Sequence, residues 1–359
     1  MRAVVAHDYF TQRGGAERVA LVIAESVSAE EVVTAVCSEQ ATFEGVSRFI
    51  VKQSVLGRVP IFRRDPRLAF PLLSWAWDRL SPVNADILVA SSSGWAHGLR
   101  VTPETKKIVY CHNPPRWLYQ ADDYLLDQPF QVRVLLRLLT PILRRWDKRA
   151  ALTADAYVAN STSVANRIEE AYGITARVLY PPVSLDTEGA QSPIEGHAPG
   201  YFLTVGRSRG YKSTQLLIDA FDDLPDHRLL VVGMDDVEKR PTNVFPLGKV
   251  SDDELRWLYS NARALLSVSR EDFGLTPVEA NAFGTPSLVL KAGGFLDSTK
   301  EHVSGEFIPA ADLPSVLAAV REFPEDWDRE AIKRHAQQFS RENFGTRLNE
   351  IVNQILAQE

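Results

Sequence analysis

Short apolar runs alternate with longer amphipathic segments along almost the whole chain of 359 residues. The runs are rich in Val, Ile and Leu, which is typical of parallel strands that helices cover on both faces. The first half predicts strands at 2–6, 31–36, 86–90, 107–111, 156–159 and 177–179. The second half predicts strands at 201–205, 228–232, 244–247, 264–268 and 287–290. The predicted class is α/β, with two doubly wound parallel sheets.

A proline-rich segment separates the two sets of predicted strands. It runs from residue 181 to residue 200, contains four prolines and shows no periodic apolar pattern. Such a composition is typical of a linker. The chain is also too long for one ordinary hydrophobic core. We therefore predict a first domain over residues 1–184, a linker over 185–199 and a second domain over 200–340.

The cysteine content and the distribution of apolar residues limit the cellular compartments in which we expect the protein to work. The two cysteines, Cys37 and Cys111, are far apart and fit neither a disulfide framework nor a CxxC site, so we expect a reducing environment. The N-terminus lacks the long apolar stretch of a signal peptide. Arg137 and Pro141 interrupt the most apolar candidate for a membrane span. We therefore expect a cytoplasmic protein.

The net charge of −6 conceals an asymmetry: residues 1–180 contain 22 Lys and Arg against 18 Asp and Glu, a charge of +4, and the remainder carries −10. Much of the positive excess lies between Arg48 and Arg79 and between Arg133 and Arg149, and both stretches are also rich in large apolar residues. Arginine-rich helix faces are often only solvated surface. Alternatively, these stretches bind anionic lipids at the inner face of a membrane, or a lipid-diphosphate acceptor, through Arg63, Arg64, Arg144 and Arg145. The negative total charge and the lack of a recognition motif argue against nucleic acid as a partner.

Residues 271–279, EDFGLTPVE, combine a strand end, an acidic loop and a helix start. Backbone N–H groups and the positive end of the helix dipole around Gly274 can bind a diphosphate. Glu279, expected in the first turn of the helix, can accept two hydrogen bonds from a vicinal diol. Acidic residues at this position can also serve only to complement the helix dipole.

Three further motifs follow predicted strands, and each also has an ordinary structural interpretation. Arg207 and Lys212 flank glycine at a helix start, where two cations could neutralise a departing diphosphate without a metal. The pair Gly14 and Gly15 forms a turn that fails the GxGxxG pattern of nicotinamide-binding proteins. His112 ends a strand before a stiff Pro-Pro turn. Alone, these motifs are equally consistent with a basic surface loop, a simple turn and a structural histidine.

Together the motifs resemble the family-4 retaining glycosyltransferases. Glu271 and Glu279 have seven residues between them, with Phe-Gly-Leu inside and Gly-x-Pro after, and so are similar to that family's EX7E signature. The resemblance implies the GT-B architecture, in which two Rossmann-like domains face a cleft. The first domain would bind the acceptor and the second the nucleotide-sugar donor. The C-terminal helix, residues 341–359, would pack back on the first domain.

The resemblance also assigns roles to single residues. It implies that Glu271 holds hydroxyls of the donor sugar, that Glu279 holds the nucleotide ribose and that His112 touches the transferred sugar. A Gly-Gly loop of the family corresponds to Gly293 and Gly294. The implied catalytic residues are Arg207, Lys212, Glu271 and His112. The implied donor-binding residues are Gly14, Gly15, Arg207, Lys212, Glu271, Phe273, Gly274, Leu275, Thr276 and Glu279.

The reaction implied is front-face transfer with retention, without an enzyme nucleophile, a metal or a further cofactor. The adjacent aspartate pairs of this chain, such as Asp252-Asp253, differ from the spaced Asp-x-Asp of metal-using transferases. The runs HDYF, GGAERV and CHNPPR resemble bacterial mannosyltransferases of polysaccharide assembly, which implies GDP-mannose as donor and a glycan or lipid-linked acceptor. A UDP-sugar donor, an epimerase or phosphorylase of the same architecture, and a non-catalytic subunit that binds nucleotide sugar remain alternatives.

Overall fold

The computed structural model divides the chain into two compact units. The first contains Met1–Pro182 and Arg341–Glu359, and the second contains Val183–Ser340. The structure describes residues 1–120, 130–183, 185–206, 214–235 and 240–358.

The first unit is a parallel sheet with helices on both faces. Its strand order among the described residues is β3-β2-β1-β4-β5-β6-β7. The strands are β1 Ala3–Phe10, β2 Glu31–Cys37, β3 Ile50–Gln53, β4 Ile87–Ser92, β5 Lys106–Cys111, β6 Ala156–Ala159 and β7 Arg177–Val178. The helices are α1 Gly15–Ser26, α2 Pro60–Arg64, α3 Phe70–Arg79, α4 Arg116–Tyr119, α5 Phe130–Ala151 and α6 Thr162–Tyr172. One further helix, at the end of the chain, completes this unit.

The second unit repeats the same architecture. Its strand order in the described part of the chain is β10-β9-β8-β11-β12-β13, again all parallel. The strands are β8 Tyr201–Val205, β9 Leu229–Val232, β10 Val244–Gly248, β11 Ala262–Ser267, β12 Ser287–Leu290 and β13 Gly305–Ile308. The helices are α7 Thr214–Asp222, α8 Asp252–Asn261, α9 Leu275–Ala282, α10 Phe295–Ser298, α11 Leu313–Arg321 and α12 Arg329–Gln337. The chain ends with α13, Arg341–Leu356, in the first unit.

The apolar runs form these strands because both faces of each sheet are buried. Along β1, Val4 and Ala6 enter one hydrophobic core and Val5 enters a second core on the opposite face. Successive side chains of a strand point to opposite faces, so a strand covered on both sides must be apolar at nearly every position. The continuous runs therefore predicted the fold class correctly, with two Rossmann-like units.

The predicted strands coincide with observed ones, but two observed strands were not predicted. These are β3 and β13, each at the edge of its sheet. In β3, Ile50, Lys52 and Gln53 are exposed. Strand β3 has one neighbour and needs less apolar surface, so its sequence lacks the continuous run on which the prediction depended.

Residues 185–199, predicted as a linker, lie in the second unit. Leu185 is buried in its core, and Ile194 packs against the same cluster. The guanidinium group of Arg256 in α8 donates hydrogen bonds to the carbonyl oxygens of Asp186 and Ala190, at 2.8 and 3.1 Å. Side-chain contacts and these bonds thus anchor a segment that has no regular secondary structure.

Helix α13 belongs to the core of the first unit. Phe344 and Leu348 are buried in the same cluster as Val5. The Asn349 side chain donates a hydrogen bond to the carbonyl oxygen of Ser26, at 2.9 Å. The last helix of the chain therefore closes one face of the N-terminal sheet.

Candidate active site

The second sheet reverses its strand order between β8 and β11. From β8 the chain moves outward to β9 and β10, and it then returns to β11 on the other side. In open α/β sheets, ligands bind beyond the carboxyl ends of the strands at such a reversal. A pocket lies at this point, lined by residues 204–206 and 267–269 and by Thr214 and Leu217 of α7.

Hydroxyl groups line this pocket and lead to Glu271. The Ser267 and Ser269 hydroxyl oxygens lie 2.9 Å apart, and the Ser269 hydroxyl donates to Oε1 of Glu271 at 3.1 Å. The hydrogen bond orients the Glu271 carboxylate beside the strand end. The arrangement can present a carboxylate and several hydroxyl groups to a polar ligand.

The Gly-Gly loop packs directly against the backbone of the Glu271 loop. The Gly294 N–H donates to the carbonyl oxygen of Glu271 at 2.9 Å. A Cβ atom at Gly293 would contact that same carbonyl oxygen. The two loops, which are distant in sequence, therefore form one rigid assembly because glycine permits the close approach.

Helix α9 begins with an N-terminus suited to an anion. Its N-cap, Gly274, has φ +87° and no side chain that could accept a hydrogen bond from the first turn. The Leu275 and Thr276 N–H groups lie in that first turn, at the positive end of the helix dipole. An added Cβ at Gly274 would also collide with the Phe295 ring. Both φ and the close packing explain why glycine stands here.

Glu279 does not lie in the first turn of α9, so that prediction was wrong. The helix begins at Leu275, and Glu279 is its fifth residue. The Tyr259 hydroxyl, at the end of α8, donates to Oε2 of Glu279 at 2.9 Å. The Tyr259 ring is stacked on Phe283, with centroids 5.9 Å apart. A buried aromatic residue therefore holds the carboxylate, which is a different support from the helix dipole.

The family resemblance assigns Glu279 to the nucleotide ribose. On that assignment, replacing Tyr259 by phenylalanine is expected to weaken nucleotide binding roughly fivefold, because one hydrogen bond that orients Glu279 contributes about 1 kcal/mol. The apolar ring contacts remain, so the melting temperature should change little. Titration calorimetry with the nucleoside diphosphate measures the effect. Ser260→Ala, in the next residue of α8, serves as the matched loss of a hydroxyl group. Equal affinity in the Tyr259 variant and the wild type would contradict a role for Tyr259 in binding.

The structure gives Phe273 a different part from its neighbours. Its side chain is 3% exposed and packs edge-on against Phe339, with centroids 5.5 Å apart. Only the backbone of Phe273 is therefore available to contact a nucleotide-sugar donor. Within the second unit the structure places Glu271, the α9 N-terminus and the hydroxyl pocket near the strand ends at the switch point.

Arg207 and Lys212 lie outside the described residues, which resume at Thr214. The described residues on either side of the segment 207–213 are informative. Gly206 and Thr214 both line the pocket at the switch point. The chain thus enters and leaves this segment at the pocket.

In the first unit, His112 follows the carboxyl end of β5. Its Nε2 atom lies 2.8 Å from the Ser91 hydroxyl, and that hydroxyl lies 3.0 Å from Nδ1 of His7. His112 is 7% exposed. Burial, followed by the neighbouring His7, lowers the pKa of His112 from its usual range to about 3. His112 is therefore a neutral imidazole at physiological pH.

Gly14 and Gly15 lie at the start of α1, beyond the end of β1. Gly14 is the N-cap of α1. The Glu17 carboxylate lies over Gly14, and an added Cβ there would collide with it. Burial raises the pKa of the Glu17 carboxyl. The close approach of this buried acidic group is thus a reason for glycine at position 14.

Asp8 is a buried residue that the sequence did not single out. Its carboxylate accepts hydrogen bonds from the N–H groups of residues 93–96, at 2.6 to 2.8 Å. Charge-assisted bonds of this kind fix a loop firmly. Asp8 therefore holds the loop after β4 in place, next to the strand that carries Ser91.

The four arginines predicted for an acceptor or membrane surface differ in their contacts. Arg63 donates to the carbonyl oxygen of Gly57. Arg144 donates from Nε to the carbonyl oxygen of Leu118 at 3.1 Å and lies over the Tyr119 ring. Arg64 and Arg145 are exposed. Two of the four arginines therefore also stabilise the fold.

The surface around these arginines contains exposed apolar side chains. In α5, Leu138 is 71% and Ile142 is 65% exposed, and in α3, Trp75 is 46% exposed. The two helices are neighbours, joined by a hydrogen bond from the Trp146 indole to Asp78 at 2.9 Å. In the described part of the chain, no helix is long and apolar enough to cross a membrane.

Sequence reasoning missed the residues that orient others: His7, Ser91, Tyr259 and Ser269. Each is a polar group at an otherwise apolar or strand-end position. The available signal was that a buried polar group needs a partner. Its partner in space could not be identified from the sequence.

Two family sequence models match the chain in succession. The model described as "Glycosyltransferase Family 4" matches residues 13–187, and "Glycosyl transferases group 1" matches residues 188–339. Together they cover both Rossmann-like units. The chain therefore belongs to the GT-B glycosyltransferases, which confirms the resemblance drawn from the glutamate signature.

Curated relatives are distant. An uncharacterised glycosyltransferase of Methanocaldococcus jannaschii is 30% identical over 151 residues, which is 38% of each chain. The alpha-1,3/1,6-mannosyltransferase alg2 of Schizosaccharomyces pombe is 24% identical, over 82% of this chain and 68% of that protein. O-antigen chain mannosyltransferase C of Escherichia coli is 25% identical, over 58% of this chain and 60% of that protein. The match thus spans less than two thirds of the first and third relatives.

Solved structures share the fold over the whole chain. Sucrose-phosphate synthase of Thermosynechococcus elongatus superimposes with a TM-score of 0.72 at 16% identity, covering 100% of both chains. Alr3699/HepE of Anabaena, in complex with UDP-glucose, gives a TM-score of 0.66 at 16% identity, covering 99% of this chain and 100% of that one. Likeness at this identity shows the architecture alone.

Proposed function

We propose that this glycosyltransferase transfers mannose from GDP-mannose to a hydroxyl group of a glycan or lipid-linked acceptor, with retention at the anomeric carbon. The observation that carries the proposal is the assembly at the switch point of the second sheet. There the Glu271 carboxylate, the hydroxyl pocket and the uncapped start of α9 lie at neighbouring strand ends. A sugar, a diphosphate and a ribose need these three kinds of group.

In the proposed reaction, the bond between the anomeric carbon and the diphosphate oxygen breaks while the acceptor oxygen bonds to that carbon from the same face. The acceptor proton passes to the leaving diphosphate oxygen. Arg207, Lys212 and the α9 N-terminus stabilise the negative charge that develops on the leaving group. Glu271 holds hydroxyls of the sugar. No metal and no cofactor besides the nucleotide-sugar donor takes part.

Relatives support mannose as the transferred sugar. Two curated relatives are named mannosyltransferases, from Schizosaccharomyces pombe and Escherichia coli. The Anabaena structure with UDP-glucose keeps a UDP-sugar as the alternative donor. Contacts to the nucleotide base would distinguish a GDP-sugar from a UDP-sugar. The groups described above would contact the sugar, the diphosphate and the ribose instead.

Differential scanning fluorimetry with a panel of nucleotides and nucleotide sugars, in the presence of EDTA, tests the donor and the absence of a metal together. A stabilisation by GDP and GDP-mannose alone is expected. A shift with UDP compounds alone would overturn the mannose donor but keep the mechanism. Binding without transfer to any acceptor would favour a non-catalytic subunit, and product formed without an acceptor would favour an epimerase.

We further propose that the enzyme works in the cytoplasm, bound peripherally to the anionic inner face of the membrane. Val134, Leu138 and Ile142 follow one another at four-residue spacing on the exposed face of α5. Arg137 and Arg145 are exposed on the same helix. Apolar groups that enter the lipid boundary, flanked by cations that meet anionic headgroups, are the features of an interfacial helix.

Replacing Leu138 by glutamate is expected to lower binding to vesicles that contain anionic lipid by roughly tenfold, because it removes one apolar contact and adds a repulsive charge. Sedimentation with anionic and with neutral vesicles measures this. Leu152→Glu, at an exposed leucine just after α5, is the matched control and should bind like the wild type. No preference of the wild type for anionic over neutral vesicles would refute the membrane proposal.

A further inference from the structure

Three polar side chains form a row across β1, β4 and the end of β5. His7 pairs with Ser91 in the register of the parallel strands, and His112 follows the next strand. Residues at alternate positions of a strand share a face. His7 follows Val5, Ser91 follows Val89 and His112 follows Tyr110, and these three preceding residues lie in one core. The row therefore lies on the face covered by α1 and α13.

The direction of the hydrogen bonds along this row is fixed by one atom. Nδ1 of His7 lies 3.1 Å from the carbonyl oxygen of Ser91 and 3.0 Å from its hydroxyl oxygen. A carbonyl oxygen only accepts, so Nδ1 of His7 must carry a proton; otherwise two lone pairs would face each other. The Ser91 hydroxyl then accepts from His7 and is free to donate its own proton.

The Ser91 proton has one nearby acceptor. Nε2 of His112 lies 2.8 Å from the hydroxyl oxygen, so the hydroxyl donates to it. A neutral imidazole with an accepting Nε2 carries its proton on Nδ1. Nδ1 of His112 makes no hydrogen bond to residues in the described ranges of the chain. Its N–H group is therefore available to a ligand.

We propose that His7 and Ser91 are positioning residues that hold neutral His112 in the Nδ1–H form, so that His112 donates a hydrogen bond to an oxygen of the transferred sugar. The inference rests on the proposed function, in which His112 contacts that sugar. His112 then acts as a donor and cannot accept a proton through Nε2, which the Ser91 hydroxyl occupies.

Burial supports this arrangement. His7 is 2% exposed and Ser91 is fully buried. Water therefore cannot replace either partner easily, and the Ser91 hydroxyl proton keeps Nε2 of His112 as its acceptor. The low pKa of His112, with burial as its main cause, keeps the ring neutral, as the proposal requires.

Long-range proton–nitrogen NMR of the full-length protein, labelled with ring ¹⁵N-histidine, tests the tautomer without any substrate. The His112 signals are assigned by their loss in His112→Gln. We expect a protonated Nδ1 and a bare Nε2 in the wild type, and a gain of Nε2 protonation in Ser91→Ala. A wild-type His112 protonated at Nε2 would overturn the proposal.

Two matched substitutions test the use of the Nδ1–H group in transfer. Asparagine places its amide nitrogen near the position of Nδ1, and glutamine places it near Nε2. His112→Asn should therefore keep roughly tenfold more transfer activity than His112→Gln. Ser91→Ala should lower kcat a few-fold more than it changes KM. If the NMR result holds but both His112 variants turn over like the wild type, the tautomer is supported and the contact with the sugar is refuted. GDP-mannose turnover by the wild type tests the proposed function independently.

Discussion

Arg207→Ala and Lys212→Ala are each expected to lower the rate of transfer by a factor of about 100 or more, with a smaller effect on donor affinity. Each substitution removes a positive charge whose interaction grows as the diphosphate leaves, so the loss falls mainly on the transition state. The described residues on either side support this expectation. Gly206 and Thr214, which flank the segment with both cations, line the pocket at the switch point. We expect no metal ion or cofactor to replace the lost positive charge.

Arg209, two residues after Arg207 in the sequence, supplies the matched control, because it stands outside the spacing shared with the family. Arg209→Ala removes the same charge and should keep transfer near the wild-type rate. Steady-state kcat and KM for the donor, measured with EDTA present, separate a transition-state effect from weaker binding. Near wild-type turnover in both Arg207→Ala and Lys212→Ala would remove the proposed mechanism. Rescue of either variant by added Mg²⁺ would instead show that a metal can take the role of the cation.

The sequence predicted the fold well because a strand buried on both faces of its sheet needs a continuous run of apolar residues. The strand at Tyr201–Val205 is apolar at four of five positions and was predicted with its observed ends. The edge strand β3 shows no such continuous apolar run, because solvent replaces its second neighbour. The anchored segment after residue 182 was also not predicted. Its stability comes from Arg256 and from single buried side chains, which follow no period.

The site was predictable where glycine and charge are consecutive in sequence, as in residues 271–279. It was not predictable where residues meet across strands. The Ser91 contact with both His7 and His112 depends on the register of three parallel strands, and no local pattern encodes that register. Tyr259 gave the same difficulty, because its sequence position indicates only a buried aromatic residue. The residues that orient the active groups could therefore be identified only from the structure.

Gly294→Ala, in the second unit, is expected to lower both the stability and the transfer activity strongly. Gly294 has φ −72°, a value that alanine adopts freely, so backbone strain plays no part. The obstacle is space. An added methyl group would overlap the Cα of Phe273 and the carbonyl group of Asp272, which are backbone atoms that cannot rotate away. The Glu271 loop must therefore move, at a cost of about 3 kcal/mol.

Movement of this loop affects binding groups on both of its sides. Glu271 precedes the overlapped residues, and Gly274, which begins α9, follows them. A displacement of about 1 Å can lower a reaction rate by roughly 100-fold, and that loss is expected here. The melting temperature should fall by about 6 to 10 °C. Gly45→Ala is the control, since its added methyl would meet only the Leu21 side chain, at an ordinary 3.5 Å. If Gly294→Ala matched Gly45→Ala in scanning calorimetry and in transfer rate, the rigid contact between the two loops would not be what positions Glu271.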